Sequence, residues 1–554
     1  MRVKESGYEL LLNPFLNKGC AFTSKERHEF SLVGKLPVVV ETIEEQCHRA
    51  YQQVLEKSSA LEKNLLLNEL YATNRTLFFK LIDLHLNELL PIIYTPTIGE
   101  AVMKFSRNFM RPQGLIISYP EIDLIDSIFA DIDSENIDIA IVTDGEGVLG
   151  IGDQGIGGLN IAIGKLMVYT ACAGIDPRRA IPIQLDVGTN NQELLADPMY
   201  MGWRNERIAG AEYDRFIERF VASFKKRFKK TFLHWEDFGK DNARRVLDKF
   251  RKIHPSFNDD IQGTGAISLA AVLTGIKKSG IPVEKHRFCI FGAGTAGTGI
   301  ADQICQALAK IGNLDLEEIR KRFYLIDRHG LIIEGQSRTL DFQRPYAKTN
   351  ADYAGWNCSI SGECSLIDTV KNAGITVLIG CSTATGAFNS EVLKQMAKNC
   401  EHPLILPLSN PTSKAEATPD EIFAATDGKA LIATGSPFSQ VEFAGKRHRI
   451  SQCNNALIYP GIALGMIISE ANELTDNMLF AASMALSENC NPDPDNSELL
   501  PDLNRVKQIS IQIAKAVAIQ AAEDNVTPDL SEEDFSQRIA DKIWQPQYYD
   551  YEKA

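Results

Sequence analysis

Two stretches of the chain place neighbouring carboxylates among apolar residues. Thr231-Phe-Leu-His-Trp-Glu-Asp-Phe-Gly239 carries Glu236 and Asp237, and Phe257-Asn-Asp-Asp-Ile-Gln-Gly263 carries Asp259 and Asp260. Burying an unpaired carboxylate costs on the order of several kcal/mol. These acids therefore either stay solvated in turns or hold something positive. Acidic oxygens suit hard divalent cations such as Mg²⁺ or Mn²⁺. Neighbours within a strand point to opposite faces, so Glu236 and Asp237 can share an ion only where the strand turns into a loop, and Gly239 makes that turn plausible. One of Asp259 and Asp260 reads equally well as a first-turn acid at the helix that starts near Gly263. Two such pairs, in a chain that also carries a dinucleotide loop, favour a metal.

That loop is Gly292-Ala-Gly-Thr-Ala-Gly297. It follows the apolar run Arg287-Phe-Cys-Ile-Phe291 and precedes a helical run from Thr298 to Ala309. Gly292 permits the tight turn, Gly294 lets a pyrophosphate approach the backbone, and Gly297 allows close helix packing, with Thr295 and Ala296 between them. The helix N-terminus then faces the phosphates. The expected ribose-binding acid is Asp327, which ends the next predicted strand, further along than the usual interval of about 20 residues. Its charge should repel a 2′-phosphate, which favours NAD over NADP, although Arg328 beside it works against that preference. A plain surface turn is the competing reading of Asp327.

Elements that could position these groups are visible in the periodicity. Residues 1 to about 130 read as mostly helical, with apolar residues at three- and four-residue spacing between Thr42 and Leu90. From Asn136 short β-branched runs alternate with helical patterns: Ile137–Thr143, Ala180–Asp186 and Thr231–His234. A second series runs through Arg287–Phe291, Phe323–Ile326, Thr376–Ile379, Pro403–Leu406 and Ala430–Ala433. Such alternation predicts parallel α/β domains, with ligands beyond the carboxyl ends of the strands. Asn491-Pro-Asp-Pro-Asp-Asn496 reads as a surface loop.

Bulk properties narrow the class. A chain of 554 residues exceeds one ordinary core, so two or more domains are expected. The net charge of −14 argues against nucleic acid and anionic membranes as partners, and an anionic substrate then needs a local positive centre. Eleven scattered cysteines with no CxxC pair read as reduced thiols in a cytoplasmic protein. Neither a signal peptide nor a membrane-spanning run is expected.

Beyond this local chemistry, a set of motifs carries a resemblance. Tyr94-Thr-Pro-Thr-Ile-Gly99, Asp144-Gly-Glu-Gly-Val-Leu-Gly-Ile-Gly-Asp153, Gly164-Lys-Leu-Met-Val-Tyr-Thr-Ala171, Asp186-Val-Gly-Thr-Asn-Asn191, Glu236-Asp-Phe-Gly239, Phe257–Gly263, Leu408-Ser-Asn-Pro-Thr412 and Asn454-Asn455 are similar, in order, to the malic enzyme family. The resemblance implies NAD-dependent oxidative decarboxylation of (S)-malate with Mn²⁺ or Mg²⁺. It also implies Glu236, Asp237 and Asp260 as metal ligands, Lys165 as general base, Tyr94 as general acid, and Asn410 and Asn454 as substrate contacts, with Asn410 also near the cofactor. Taken singly, Lys165 is as readily a solvated helix lysine, Tyr94 a half-buried phenol and Asn410 a turn former before Pro411. Asp259, adjacent to Asp260, is read as orienting Lys165.

The implied fold is α/β, with an N-terminal helical region (1–70), an α/β catalytic domain (71–261), a Rossmann-type doubly wound NAD-binding domain (262–525) and a C-terminal tail (526–554). A homodimer or homotetramer is expected. One position departs from the pattern: Gly147 stands where the family usually has an Arg that binds the substrate carboxylate or cofactor. Malolactic enzymes, which convert malate to lactate with bound NAD, resemble the chain at that position and in Leu233-His-Trp-Glu-Asp-Phe-Gly239. They stand as the alternative, and a non-catalytic nucleotide-binding regulator as a second. Leu16–Phe22, Gly152–Gly158, Met201–Asn205 and Gly435–Phe438 resemble bacterial NAD-linked malic enzymes over more of the chain.

Overall fold

The computed structural model describes the chain except residues 134, 135, 149, 359–362, 492, 494, 495, 529 and 530. Half of the Asn491–Asn496 loop therefore lies outside the described residues, as does Leu149 of the Asp144–Asp153 motif. Two compact units are present. One comprises Met1–Phe257, Ile467–Glu473 and Asp529–Ala554, the other Asn258–Met466 and Leu474–Pro528.

In the first unit the N-terminal third is helical, as the periodicity predicts. Two of its helices, Ile43–Leu55 and Ala60–Thr73, start on capping boxes, Thr42 with Glu45 and Ser59 with Glu62, which satisfy orphan N–H groups from both directions. The parallel sheet contains β1 (Leu115–Ser118), β2 (Ile139–Thr143), β3 (Ala180–Asp186), β4 (Phe232–Trp235) and β5 (Ser256–Asn258), in the order β1-β3-β2-β4-β5. All of β2 and β4 is buried, which is why they read as unbroken apolar runs rather than as alternating ones. The predicted strands β2, β3 and β4 appear within two residues of their expected positions. By contrast, β1 and β5 are not among the predicted strands, although Leu115-Ile-Ile-Ser118 is an apolar run.

The chain enters β2 between neighbours that lie on opposite sides of it, so the topology reverses at its carboxyl end. Against this sheet lies helix α1 (Leu159–Ala173), buried at every residue except Asn160. It is long and apolar enough to cross a membrane by composition, a property the sequence reading did not attribute to it. Its burial inside the protein instead makes it a core helix.

The second unit is a seven-stranded sheet of β6 (Phe288–Phe291), β7 (Phe323–Asp327), β8 (Gly330–Leu331), β9 (Val377–Gly380), β10 (Leu404–Pro407), β11 (Leu431–Thr434) and β12 (Ser451–Gln452). Its order is β12-β11-β10-β9-β6-β7-β8, parallel except for β8. The strand order reverses between β6 and β9, the arrangement of a doubly wound nucleotide-binding sheet. Leu378, Ile405 and Ile432 from three of these strands share one apolar core with Val370, Phe388 and Met396 from the covering segments.

One expectation fails. Cys358 and Cys364 form a disulfide, with Cα atoms 5.0 Å apart, rather than remaining reduced. Spacing alone does not show that these two side chains meet. The other nine cysteines are free.

Candidate active site

The carboxyl end of β4 explains how adjacent acids can face one point. Glu236 follows the last strand residue, and Asp237 takes φ 54°, a left-handed conformation that only a minority of non-glycine residues adopt. This reversal breaks the alternation of a strand. Asp260 lies two residues beyond β5 in a π-helical turn, Asp259–Gly263, which leads into a long helix, Thr264–Ser279. One carboxylate oxygen from each of Glu236, Asp237 and Asp260 lies within 4.8 Å of the others. The sequence-predicted ligand set is thus brought together.

Lys165 enters from α1 and is 2% exposed. Its Nζ donates to the Tyr94 hydroxyl at 2.7 Å and pairs with Glu236 Oε1 at 2.8 Å. The Tyr94 hydroxyl in turn approaches the same oxygen at 3.4 Å. Glu236 Oε2 meets His234 Nε2 at 2.5 Å, and His234 Nδ1 meets the Tyr169 hydroxyl at 2.6 Å. The pattern is geometric: Lys165 and Tyr169 are one helical turn apart, and His234 and Glu236 are two strand positions apart, so each pair shares a face. That i+2 spacing is the signal by which His234 could have been found from sequence. It was missed, as was Tyr169.

Burial pushes the Glu236 carboxyl up, but the Lys165 charge and the His234 contact outweigh it and hold the group below the usual carboxylate range. Three carboxylates gathered this closely repel one another. With Lys165 charged or neutral, the three acids leave a local excess of negative charge, which fits a divalent cation. The donor set is all oxygen, which suits Mg²⁺ or Mn²⁺.

A buried charge network supports this turn. Asp144 at the end of β2 is fully buried and accepts from Tyr213 Oη at 2.7 Å, while Arg207 pairs with Asp153 at 2.8 Å and approaches Asp144 at 3.6 Å. Burial raises the Asp144 carboxyl despite the Arg207 charge. From the same loop Gly147 N–H donates to the Asp237 carbonyl at 2.8 Å. A Cβ at Gly147 would lie 2.6 Å from the Phe238 carbonyl oxygen. The glycine that replaces the expected Arg therefore lets two loops close on each other beside the acids.

In the second unit the fingerprint sits between β6 and a helix, α2 (Thr295–Gly312), which starts three residues earlier than expected. Gly292 has φ 109° and a Cβ there would meet the Cys381 backbone at 2.6 Å, while a Cβ on Gly297 would lie 2.1 Å from the Gly292 carbonyl. Nothing lies within 4 Å of a Cβ built on Gly294, so space remains for a ligand. Thr295 and Ala296 form a first turn free of acidic residues, open to a phosphate. Asp327 ends β7, and its carboxylate accepts from His329 N–H at 2.7 Å.

The remaining candidates occupy loops beyond the strands of the second unit. Asn410 follows β10, is exposed, and accepts from Ser436 Oγ at 2.6 Å. Asn454 follows β12, and its Oδ1 caps Ala456 N–H at 3.0 Å. Asp259 accepts from Asn455 Nδ2 at 3.0 Å, a partner that sequence reasoning did not assign.

Comparison with known proteins adds a family to this geometry. The profile described as malic enzyme, N-terminal domain, matches residues 71–251, and that described as malic enzyme, NAD binding domain, matches residues 261–522. The chain belongs to the malic enzyme family. A protein of Pseudomonas savastanoi pv. phaseolicola named NAD-dependent malic enzyme is 47% identical over 553 residues, covering 100% of this chain and 98% of that protein. One of the same name from Acinetobacter baylyi is 46% identical over 551 residues, covering 99% and 97%. The solved malic enzyme of Entamoeba histolytica shares the fold, with a TM-score of 0.56 and 24% identity over 93% of this chain and 91% of that one.

Proposed function

We infer that the chain catalyses NAD-dependent oxidative decarboxylation of (S)-malate to pyruvate and CO₂. The observation that carries this reading is the contact set of Lys165, Tyr94 and Glu236 beside a trio of carboxylates, in a member of this family. Relatives that cover the whole chain bear the malic enzyme name, which does not favour lactate as product.

Glu236, Asp237 and Asp260 would hold the divalent cation, which when bound supplies positive charge for the hydroxyl and carboxylate oxygens of malate. Lys165, as the neutral amine, takes the proton of the C2 hydroxyl while the C2 hydride passes to the nicotinamide. Oxaloacetate results. Loss of CO₂ leaves an electron pair at C3, and Tyr94 protonates that carbon to give pyruvate. The 2.7 Å contact between Lys165 and Tyr94 lets the proton taken in the first half return in the second, so the pair ends each turnover as it began.

Gly292, Gly294, Thr295, Ala296 and Gly297 would cradle the pyrophosphate of NAD, Asp327 its ribose, and Asn410 and Asn454 would face substrate. Asp259, tied to Asn455, is assigned to orient the base. Assembly as a homodimer or homotetramer belongs to the same reading, and light scattering measures it. The product test is direct. With malate, NAD and Mn²⁺, equal amounts of NADH and pyruvate should appear, whereas lactate without free NADH would assign the chain to malolactic conversion.

A further inference from the structure

Three strand-end loops of the nucleotide-binding unit are tied together by side chains to which the family resemblance assigned no role. Glu416 is fully buried. One of its oxygens, Oε1, accepts from Ser382 N–H at 2.8 Å, from Ser382 Oγ at 2.9 Å and from Ser409 Oγ at 2.5 Å. Ser382 belongs to the loop after β9, and Ser409 to the loop after β10. Ser409 Oγ also accepts from Thr383 N–H at 2.9 Å, which closes the join. The carboxylate occupies the space beside β9 so fully that a Cβ on Gly380 would lie 2.5 Å from its carbon.

A second tie links the loop after β10 to the loop after β11. Ser436 is 2% exposed, and its hydroxyl donates to Asn410 Oδ1 at 2.6 Å. The Ser436 carbonyl accepts from Thr434 Oγ1 at 2.8 Å, which fixes that turn from behind. Asn410 itself is exposed, at the carboxyl edge of a doubly wound sheet where ligands bind.

An amide has one accepting and one donating end. With its oxygen engaged by Ser436, Asn410 presents its Nδ2 hydrogens outward. We propose that Ser436 and Glu416 are positioning residues that set Asn410 as a fixed donor to a carbonyl or carboxylate oxygen of the bound ligand. Ser436 sets the sense of the amide, and Glu416 sets the place of the loop that carries it. The inference rests on the malate-oxidising reading, because turnover is its readout, but it adds residues that reading does not use.

The test compares Ser436→Ala, Ser436→Thr, Asn410→Ala, Asn410→Asp and Ser436→Ala/Asn410→Ala by steady-state kinetics with malate and NAD. NADH binding followed by fluorescence provides a readout independent of turnover. One lost hydrogen bond weakens binding roughly 2- to 10-fold, and more where a group is left buried and unpaired. Ser436→Ala should raise KM for malate, or weaken NADH, by about that factor, and Ser436→Thr should restore it. The double variant should be no worse than Asn410→Ala, since Ser436 acts through Asn410. Asn410→Asp should be the most damaging, because it keeps the Ser436 contact but turns an oxygen towards the ligand. Glu416→Gln should raise the same constant as Ser436→Ala.

A large effect of Asn410→Ala with none from Ser436→Ala and Glu416→Gln overturns the positioning roles. No effect from Asn410→Ala overturns the ligand contact while the malate reading stands. Absence of malate turnover in the unsubstituted protein defeats the malate reading itself, and the fluorescence titration then still reports on Asn410.

Discussion

The Lys165 ammonium donates to the Tyr94 hydroxyl across 2.7 Å, and both groups meet the same oxygen of Glu236. A base and an acid that share a hydrogen bond act as one unit. Lys165→Ala and Tyr94→Phe should each lower kcat by roughly 10²- to 10⁴-fold. The double variant should cost little more than the worse single one. NADH binding should persist in all three. Independent, multiplicative losses would separate the two residues into unrelated roles.

Gly147 stands where the family usually has Arg, and restoring that Arg should not help. A Cβ there meets the Phe238 carbonyl at 2.6 Å, so Gly147→Ala and Gly147→Arg should both push the Asp144–Gly147 loop off the turn that carries Asp237. A cost of about 1 to 3 kcal/mol in stability is expected, together with weaker Mn²⁺ binding. Denaturant midpoints and metal calorimetry read the two effects. A Gly147→Arg protein that binds malate more tightly at unchanged stability would contradict this account.

His234 bridges Tyr169 and Glu236. His234→Leu leaves two buried polar atoms without this partner, at a cost of roughly 1 to 3 kcal/mol each. Metal affinity, measured by calorimetry without substrate, should fall in His234→Leu and less in Tyr169→Phe. Unchanged affinity in His234→Leu would show that Glu236 needs no such brace.

His254 gives the fold a dependence on acid. It is buried, with Nε2 2.7 Å from the Thr231 carbonyl, and burial lowers its pKa from 6.5 to about 4 despite that bond. The unfolded chain therefore takes up this proton near pH 6.5, and the folded protein only near pH 4. Stability should be complete above pH 6.5, fall as pH drops from there towards 4, and level off below. The full contribution is on the order of 3 kcal/mol. Urea midpoints at pH 7 and pH 5 should converge in His254→Gln relative to the parent. An equal drop in both proteins would remove His254 from the effect.

Much of this fold is legible in the residues because most buried parallel strands are short, largely apolar runs with punctuation after them. β2, β3, β4, β6, β7, β9, β10 and β11 all meet that description. The short strands β5, β8 and β12 do not, since neighbours rather than local propensity decide them, and β1 meets it but was not picked out. The strand-end acids were legible because a strand followed by Gly239 must turn there. How adjacent acids face one point was not, because it depends on the positive φ of Asp237. The Tyr169–His234–Glu236 chain joins positions 65 residues apart and leaves no local trace beyond the i+2 spacing. The disulfide was missed for a related reason, since spacing alone does not say which cysteines meet. Nor does composition reveal that residues 467–473 pack with the first unit.

A cation held by Glu236, Asp237 and Asp260 is central to the proposed chemistry. The direct measurement is the rate of NADH release from malate and NAD as Mn²⁺ is titrated into protein stripped by a chelator. We expect no release before metal is added, then a saturable rise with pyruvate formed one for one, and a rise shifted to higher Mn²⁺ in Asp237→Asn. Full turnover in the presence of the chelator would contradict the central claim.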